Sequence, residues 1–247
     1  MDWDSGLYDQ KHAFVAEYGK ELLSYVPDNL EQAILDVGCG SGTLTVQLAK
    51  LGARVVGVDS SEEMIARAKN ILPEAEFCIC DALNMPFTAE FDVIFSNAVF
   101  HWIKDHDALL KAIYRAMRDN GKLICEFGGS RNIAKIEAAF ACAYAETGRD
   151  YHSEFNFPEV KTFSGLLEKN GFKIELIYDF DRPTPLSDGK MGLRNWLRQF
   201  FASELQVVSG AELEYILRRV EGLTRHELWN GHEWRADYRR LRAIACK

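Results

Sequence analysis

Three glycines at alternate positions, Gly38, Gly40 and Gly42, follow an apolar run that carries an acid near its end, Ala33-Ile34-Leu35-Asp36-Val37. Thr43 to Lys50 then continue at helical spacing, so the segment reads as strand, tight loop and helix. Glycine lets a backbone turn sharply and meet a ligand with no Cβ between them, and the helix start adds N–H groups without intrahelical partners. Asp36 can accept a hydrogen bond from a ligand's amino group or offset its positive charge. The next apolar run, Arg54-Val55-Val56-Gly57-Val58-Asp59, again ends in an acid. It lies about 20 residues beyond the glycines, where a carboxylate can hold both hydroxyls of a ribose. The chemistry these residues suit is nucleoside binding.

Spacing narrows the ligand. A dinucleotide fingerprint needs a third glycine or alanine three residues after its second glycine. That position is Thr43 counted from Gly38 and Thr45 counted from Gly40. A phosphate-cradling P-loop would end in Gly-Lys-Ser/Thr, and this loop does not.

Four segments together, Asp36–Gly42, Val58-Asp59-Ser60-Ser61, Cys80-Asp81-Ala82 and Phe91–Asn97, resemble the class I S-adenosylmethionine-dependent methyltransferases. Within that family, Ser96–Ile103 and the tail are most similar to the trans-aconitate methyltransferase group. The resemblance implies S-adenosyl-L-methionine as cofactor and transfer of its methyl group to a small-molecule acceptor. Gly38, Gly40 and Gly42 would then shape the loop along the methionine and ribose, with Cys39 a small residue within it. Asp59, followed by Ser60, would hold the ribose, and Met64 would pack near the adenine. Asp81 with Ala82 would meet the adenine amine, and Asn97 would close the methionine side.

Acceptor-facing residues are expected after the fourth strand, where His101-Trp102 stands. His101 is a candidate base there or a histidine packed on a tryptophan, and Trp102 a candidate wall of the acceptor pocket. Arg194 and Arg198 are four apart on one helix face beside the stripe Leu193, Trp196, Leu197 and Phe200. Paired guanidiniums suit a carboxylate, unless they pair with nearby acids such as Glu204. Arg131, after strand five, is a competing anchor. O-methylation of a carboxylate is the leading expectation. A carrier-bound acyl carboxylate, a lipid-soluble ring acceptor and a non-catalytic cofactor-binding protein are the alternatives.

These residues need a scaffold of alternating strands and helices. Strands are expected at 33–38, 54–59, 76–81, 91–96 and 122–127, and a further one at 173–178. Helices are expected at 12–26, at 43–50, after Ser60 or Ser61, after Asp105, at 132–147 and at 163–170, with two more helical stripes beyond. The fold class is therefore α/β: a doubly wound, mostly parallel, seven-stranded Rossmann-like sheet with a helical cap, its ligand at the carboxyl ends of the strands. A single domain is expected, with residues 1–32 as an N-terminal helix and lid and 33–182 as the core. A helical cap would occupy 183–232, and the last, antiparallel strand 233–247, as the resemblance implies.

Composition sets the outer limits. A net charge of −8 over 247 residues argues against a nucleic-acid or anionic-membrane surface. No apolar run approaches the length of a membrane span, and Met1-Asp2-Trp3-Asp4 is no secretory leader, so a cytoplasmic chain is expected. The six cysteines lack paired spacing, which favours reduced thiols over a metal site.

Overall fold

The computed structural model describes residue 19 and residues 21–29, 31–52 and 54–247. The chain divides into two compact units. The first comprises Met1–Ser130, Phe155–Asp179 and Leu241–Lys247, and the second Arg131–Glu154 and Phe180–Arg240.

The first unit is built on a seven-stranded sheet. Its strands are β1 (Ala33–Val37), β2 (Arg54–Asp59), β3 (Glu76–Ile79), β4 (Phe91–Asn97), β5 (Met117–Gly128), β6 (Lys173–Asp181) and the C-terminal β9 (Arg239–Cys246). Their order is β3-β2-β1-β4-β5-β9-β6. The pairings β1–β2, β1–β4, β2–β3 and β4–β5 are all parallel. Every residue of β1 is buried, as a central parallel strand covered on both faces requires. Adjacent residues point to opposite faces. Thus Leu35, Val56, Ile94 and Leu123 enter one core cluster, and their neighbours Ile34, Val55, Val93 and Ile124 another. The chain leaves β1 for β2 on one side and returns to β4 on the other, so the sheet has its switch point at the carboxyl end of β1.

The flanking helices begin where their caps dictate. Helix α2 (Glu62–Ile71) starts after Ser61, whose hydroxyl accepts from the Met64 N–H at 3.3 Å, and carries two acids in its first turn. Helix α3 (His106–Ala116) starts after Asp105, whose carboxylate accepts from the Ala108 N–H at 2.9 Å. Helix α5 (Val160–Lys169) stops before Gly171 at φ +89°. The expected helix over 43–50 contracts to α1 (Thr45–Leu48), a single turn between tight bends. Of the expected N-terminal helix, Val15 and Tyr18 lie outside the described residues. Leu22 and Val26 are buried in the sheet's second cluster.

The second unit is mainly helical: α4 (Ala134–Ala145), α6 (Gly192–Phe200), α7 (Ala202–Leu205) and α8 (Gly210–Leu228). Two short strands, β7 (Thr184–Pro185) and β8 (Arg235–Ala236), pair antiparallel. The stripes read from the sequence are its core, since Leu193, Trp196, Leu197, Ile216, Leu217 and Val220 are all buried. The helical unit draws on residues 131–154 as well as the span expected for the cap, because α4 packs along α8. The last strand starts later than expected, at Arg239, with Trp234 to Ala236 diverted to the small sheet.

Candidate functional site

The carboxyl ends of β1 to β4 open onto a cleft of about 1120 Å³ in the first unit. Gly38, Gly40, Asp59, Ser60, Met64, Asp81, Ala82, Asn97 and Trp102 all line it. Residues from four separate strand ends thus come together as the sequence led one to expect.

The three glycines sit at φ +73°, +54° and +86°, the left-handed region that a side chain rarely adopts. Their surroundings differ. A Cβ on Gly38 would fall inside the Val99 side chain, and one on Gly42 would lie 3.1 Å from the Ala68 Cβ. A Cβ on Gly40 would meet nothing within 4 Å. Gly38 and Gly42 therefore let protein pack against protein, whereas Gly40 exposes its backbone to the cleft.

Asp59 ties this loop to the next one. Its carboxylate accepts from the Gly40 N–H at 3.0 Å and the Ser61 N–H at 2.9 Å. Burial raises its pKa, and these main-chain donors pull in the opposite direction. Two oxygens offer about four acceptor sites, so a ribose diol can share the carboxylate with the loop. Asp81 works similarly: it accepts from the Leu83 N–H at 3.0 Å and the Asn84 amide at 2.9 Å, capping a turn of 3₁₀ helix at Ala82–Asn84.

Besides Gly42, which does not line the cleft, two expected cofactor residues stand elsewhere. Asp36 is 2 % exposed and lies behind the loop, where the Thr45 hydroxyl donates to it at 2.7 Å. Burial pushes its pKa up to about 7, the Thr45 bond lowers it, and the Asp59 charge adds a smaller rise. It anchors the loop to the helix rather than facing the cleft. Cys39 points the other way, into an apolar cluster with Ile65, Ala68, Leu72 and Phe77. Burial, then the nearby aspartates, push its thiol far up, so it is no nucleophile.

His101 is buried, and the Gly128 N–H donates to its Nδ1 at 3.2 Å. A nitrogen that accepts carries no proton, so the neutral ring holds its hydrogen on Nε2 and has no other lone pair to act as a base. The ring lies among Trp102, Phe155 and Phe157, with centroids 5.3, 6.4 and 5.8 Å away. The packed reading of His101 fits this geometry, and the base does not.

The three arginines belong to the second unit. Arg194 is bound by Glu221 through two contacts of 2.8 Å, and by Glu214 at 2.9 and 3.0 Å. Both acids come from α8, so the guanidinium is neutralised within its own unit. Glu204 is not its partner. Arg131 and Arg198 are exposed.

The sequence reading missed Ala98, Val99, Ile103 and Lys104, which also line the cleft. Ala98 and Val99 follow Asn97, and Ile103 and Lys104 follow Trp102, so contiguity alone could have found them. The backbone of Ala98 could not have been found this way. It sits at φ +64°, held by its N–H to the Glu126 carbonyl at 2.7 Å, a strain on the order of 1 kcal/mol. Also missed was a buried ion pair beneath this turn: Arg242 donates to Glu126 at 2.6 and 2.8 Å.

Residues 35–125 match the family described as Methyltransferase domain. An uncharacterized methyltransferase of Schizosaccharomyces pombe is 28 % identical, covering 99 % of this chain and 98 % of that protein. Trans-aconitate 2-methyltransferase of Escherichia coli is 28 % identical, covering 83 % of this chain and 85 % of that enzyme. Among solved structures, geranyl diphosphate C-methyltransferase of Streptomyces coelicolor, in complex with S-adenosyl-L-homocysteine, shares the fold at a TM-score of 0.59. Its identity is 16 %, and the match covers 95 % of this chain and 81 % of that one. With the glycine loop, the acids at the ends of β2 and β3 and this sheet order in place, residues 35–125 form the methyltransferase domain of an S-adenosylmethionine-dependent enzyme.

Proposed function

We propose that the enzyme methylates a small molecule on a carboxylate oxygen, the kind of acceptor named for the E. coli relative. The observation that carries this reading is the main-chain N–H on His101 Nδ1, which argues against the histidine beside Trp102 as a base. A carboxylate is already ionised at neutral pH and needs no proton removed, whereas a phenol or carbon acid would.

The cofactor supplies a methyl group on a positively charged sulfonium, open to in-line attack by an acceptor oxygen. The chain's task is to hold, orient and exclude water. Gly38 and Gly40 would lie along the methionine and ribose, Asp59 and Ser60 would take the ribose, and Asp81 and Ala82 the adenine edge. Met64, 6 % exposed, would pack on the adenine, and Asn97 would close the methionine end. Trp102 would wall the acceptor from solvent. Holding both partners in attack geometry can supply roughly 7–11 kcal/mol without a base. Six free cysteines suit a reducing compartment, which supports a cytoplasmic setting. No helix of the described residues is long and apolar enough to cross a membrane.

The test is a panel of di- and tricarboxylates beside uncharged ring acceptors, read by mass spectrometry for methyl ester. Arg131→Ala and Arg198→Ala are included as candidate carboxylate ligands, and His101→Asn as the base test. Ester formation is expected, with His101→Asn within about threefold of wild type. A loss of about 10²- to 10⁴-fold, the range of a general base, would restore that role to His101. Turnover confined to ring acceptors would overturn the carboxylate assignment.

A further inference from the structure

The buried pair Glu126–Arg242 lies outside the catalytic account above, yet it touches the cleft's rim from two directions. Glu126 is 1 % exposed and Arg242 fully buried. Through its main chain, Glu126 holds the strained Ala98, and in the sheet it is registered opposite Asn97. Through its side chain it holds Arg242. The remaining side of the guanidinium reaches the Glu21 carboxylate at 3.0 Å and the Tyr178 hydroxyl at 3.1 Å, and lies 5.5 Å from the Tyr25 ring centroid. Glu21 is two residues from Gly19. A Cβ on Gly19 would lie 2.5 Å from Leu44 Cδ1 and 3.2 Å from Asn97 Nδ2. Bonds therefore run from Ala98 to Glu126, to Arg242 and to Glu21, and Gly19, two positions before Glu21, again borders Asn97.

Such a pair is a poor way to gain stability. Two charges taken from water are commonly matched or bettered by apolar residues of similar volume, so a retained pair calls for another role. Here the guanidinium joins a side chain fixed in the sheet to one on the segment that borders Asn97. An apolar replacement would fill the same space but could not hold Glu21.

We propose that Arg242, clamped by Glu126, is a positioning residue for cofactor binding: it draws Glu21 onto the sheet and thereby seats Gly19 against Asn97. It touches neither cofactor nor acceptor, so its effect reaches the cleft through Glu21 and Gly19.

The test separates position from stability. S-adenosyl-L-homocysteine affinity is measured by calorimetry at ~20 °C, near the usual stability maximum of such domains, with folding checked by circular dichroism. Glu21→Ala leaves the buried pair intact and removes an exposed acid. Its dissociation constant should rise about threefold, the scale of an exposed charged contact, at an unchanged unfolding midpoint. Glu21→Gln, which keeps an acceptor oxygen, should fall between it and wild type. The double variant Glu126→Leu with Arg242→Met should keep or raise the midpoint while affinity falls about tenfold, as loss of hydrogen bonds to a charged group implies. Wild-type affinity in folded Glu21→Ala would overturn the proposal, and that variant decides the matter alone if the double variant does not fold.

Discussion

The cleft of the first unit and the helices of the second handle their charges in opposite ways. At the cleft of the first, Asp59 and Asp81 are held by main-chain N–H groups and, for Asp81, by the neutral Asn84 side-chain amide, and meet no cation among the contacts described. In the second, acids and arginines close on each other: Arg194 with Glu214 and Glu221, Arg149 with Glu212, Arg219 with Glu146. Main-chain donors orient a carboxylate while leaving its charge and spare lone pairs for a ligand. Ion pairs consume both. The acids at the cleft are thus arranged to bind, and these pairs of the second unit to hold helices together.

The largest break in this contrast should come from Gly38→Ala. Its Cβ would enter the Val99 side chain at a φ that alanine resists, at a cost of about 2–4 kcal/mol. Calorimetric affinity for S-adenosyl-L-homocysteine should fall at least thirtyfold, roughly what 2 kcal/mol implies, and Val99→Ala in the same chain should restore part of it. Full affinity in Gly38→Ala alone would show that the wedge is no constraint.

Next in size is Asp59→Ala, which removes the acceptor of two loop N–H groups and of the ribose contact. Hydrogen bonds to a charged group are worth about 1.5–3 kcal/mol, so affinity should fall tenfold or more. If Asp59 only braced the loop, cofactor fragments lacking the ribose hydroxyls would lose as much, and that comparison sharpens the assignment.

Asp36 sharpens the contrast through pH. Its folded pKa, about 7, stands above its ordinary 3.8, so the folded chain binds the proton more tightly than the unfolded one. The stability it contributes is complete below about pH 4 and is lost as pH rises through 7, at ~1.4 kcal/mol per unit of difference. Urea unfolding should show wild type losing on the order of 1–3 kcal/mol relative to Asp36→Asn between pH 5 and 8. Burial lowers the His106 pKa and gives the opposite slope in this range, which is why the difference between the two proteins is the quantity to measure.

The smallest effect belongs to the second unit. Arg194→Ala should cost about 1–3 kcal/mol of stability, because Glu221 loses a half-buried, doubly bonded partner, and leave cofactor affinity unchanged. A cofactor defect without a stability defect would contradict the division of labour between the units.

The same contrast explains what the sequence could reveal. Asp59, Asp81 and Asn97 each stand where an apolar run breaks, and a parallel sheet brings strand ends together by its topology, so their convergence was readable residue by residue. Arg194 was not. Its spacing to Arg198 fixed a helix face, but the Glu214 and Glu221 that saturate it come from another helix, and only packing chooses that partner. Asp36 followed the motif's position but not its environment, because Thr45 on the following turn takes its oxygen. Arg242 and Glu126, which are 116 positions apart, left no local signal at all. Helix α1 was overestimated because periodicity shows which residues turn inward and not how tightly a chain bends after three glycines.

The wedge of Val99 into the space above Gly38 has one more consequence, for time rather than energy. A loop pinned by valine methyls on one side and by Asp59 on the other has its shape before any ligand arrives. Amide hydrogens at 38–42 should therefore exchange with solvent at nearly the same slow rate in apo and product-bound protein. Product can then leave without this loop unfolding, and any slow opening step during turnover must come from another edge of the cleft.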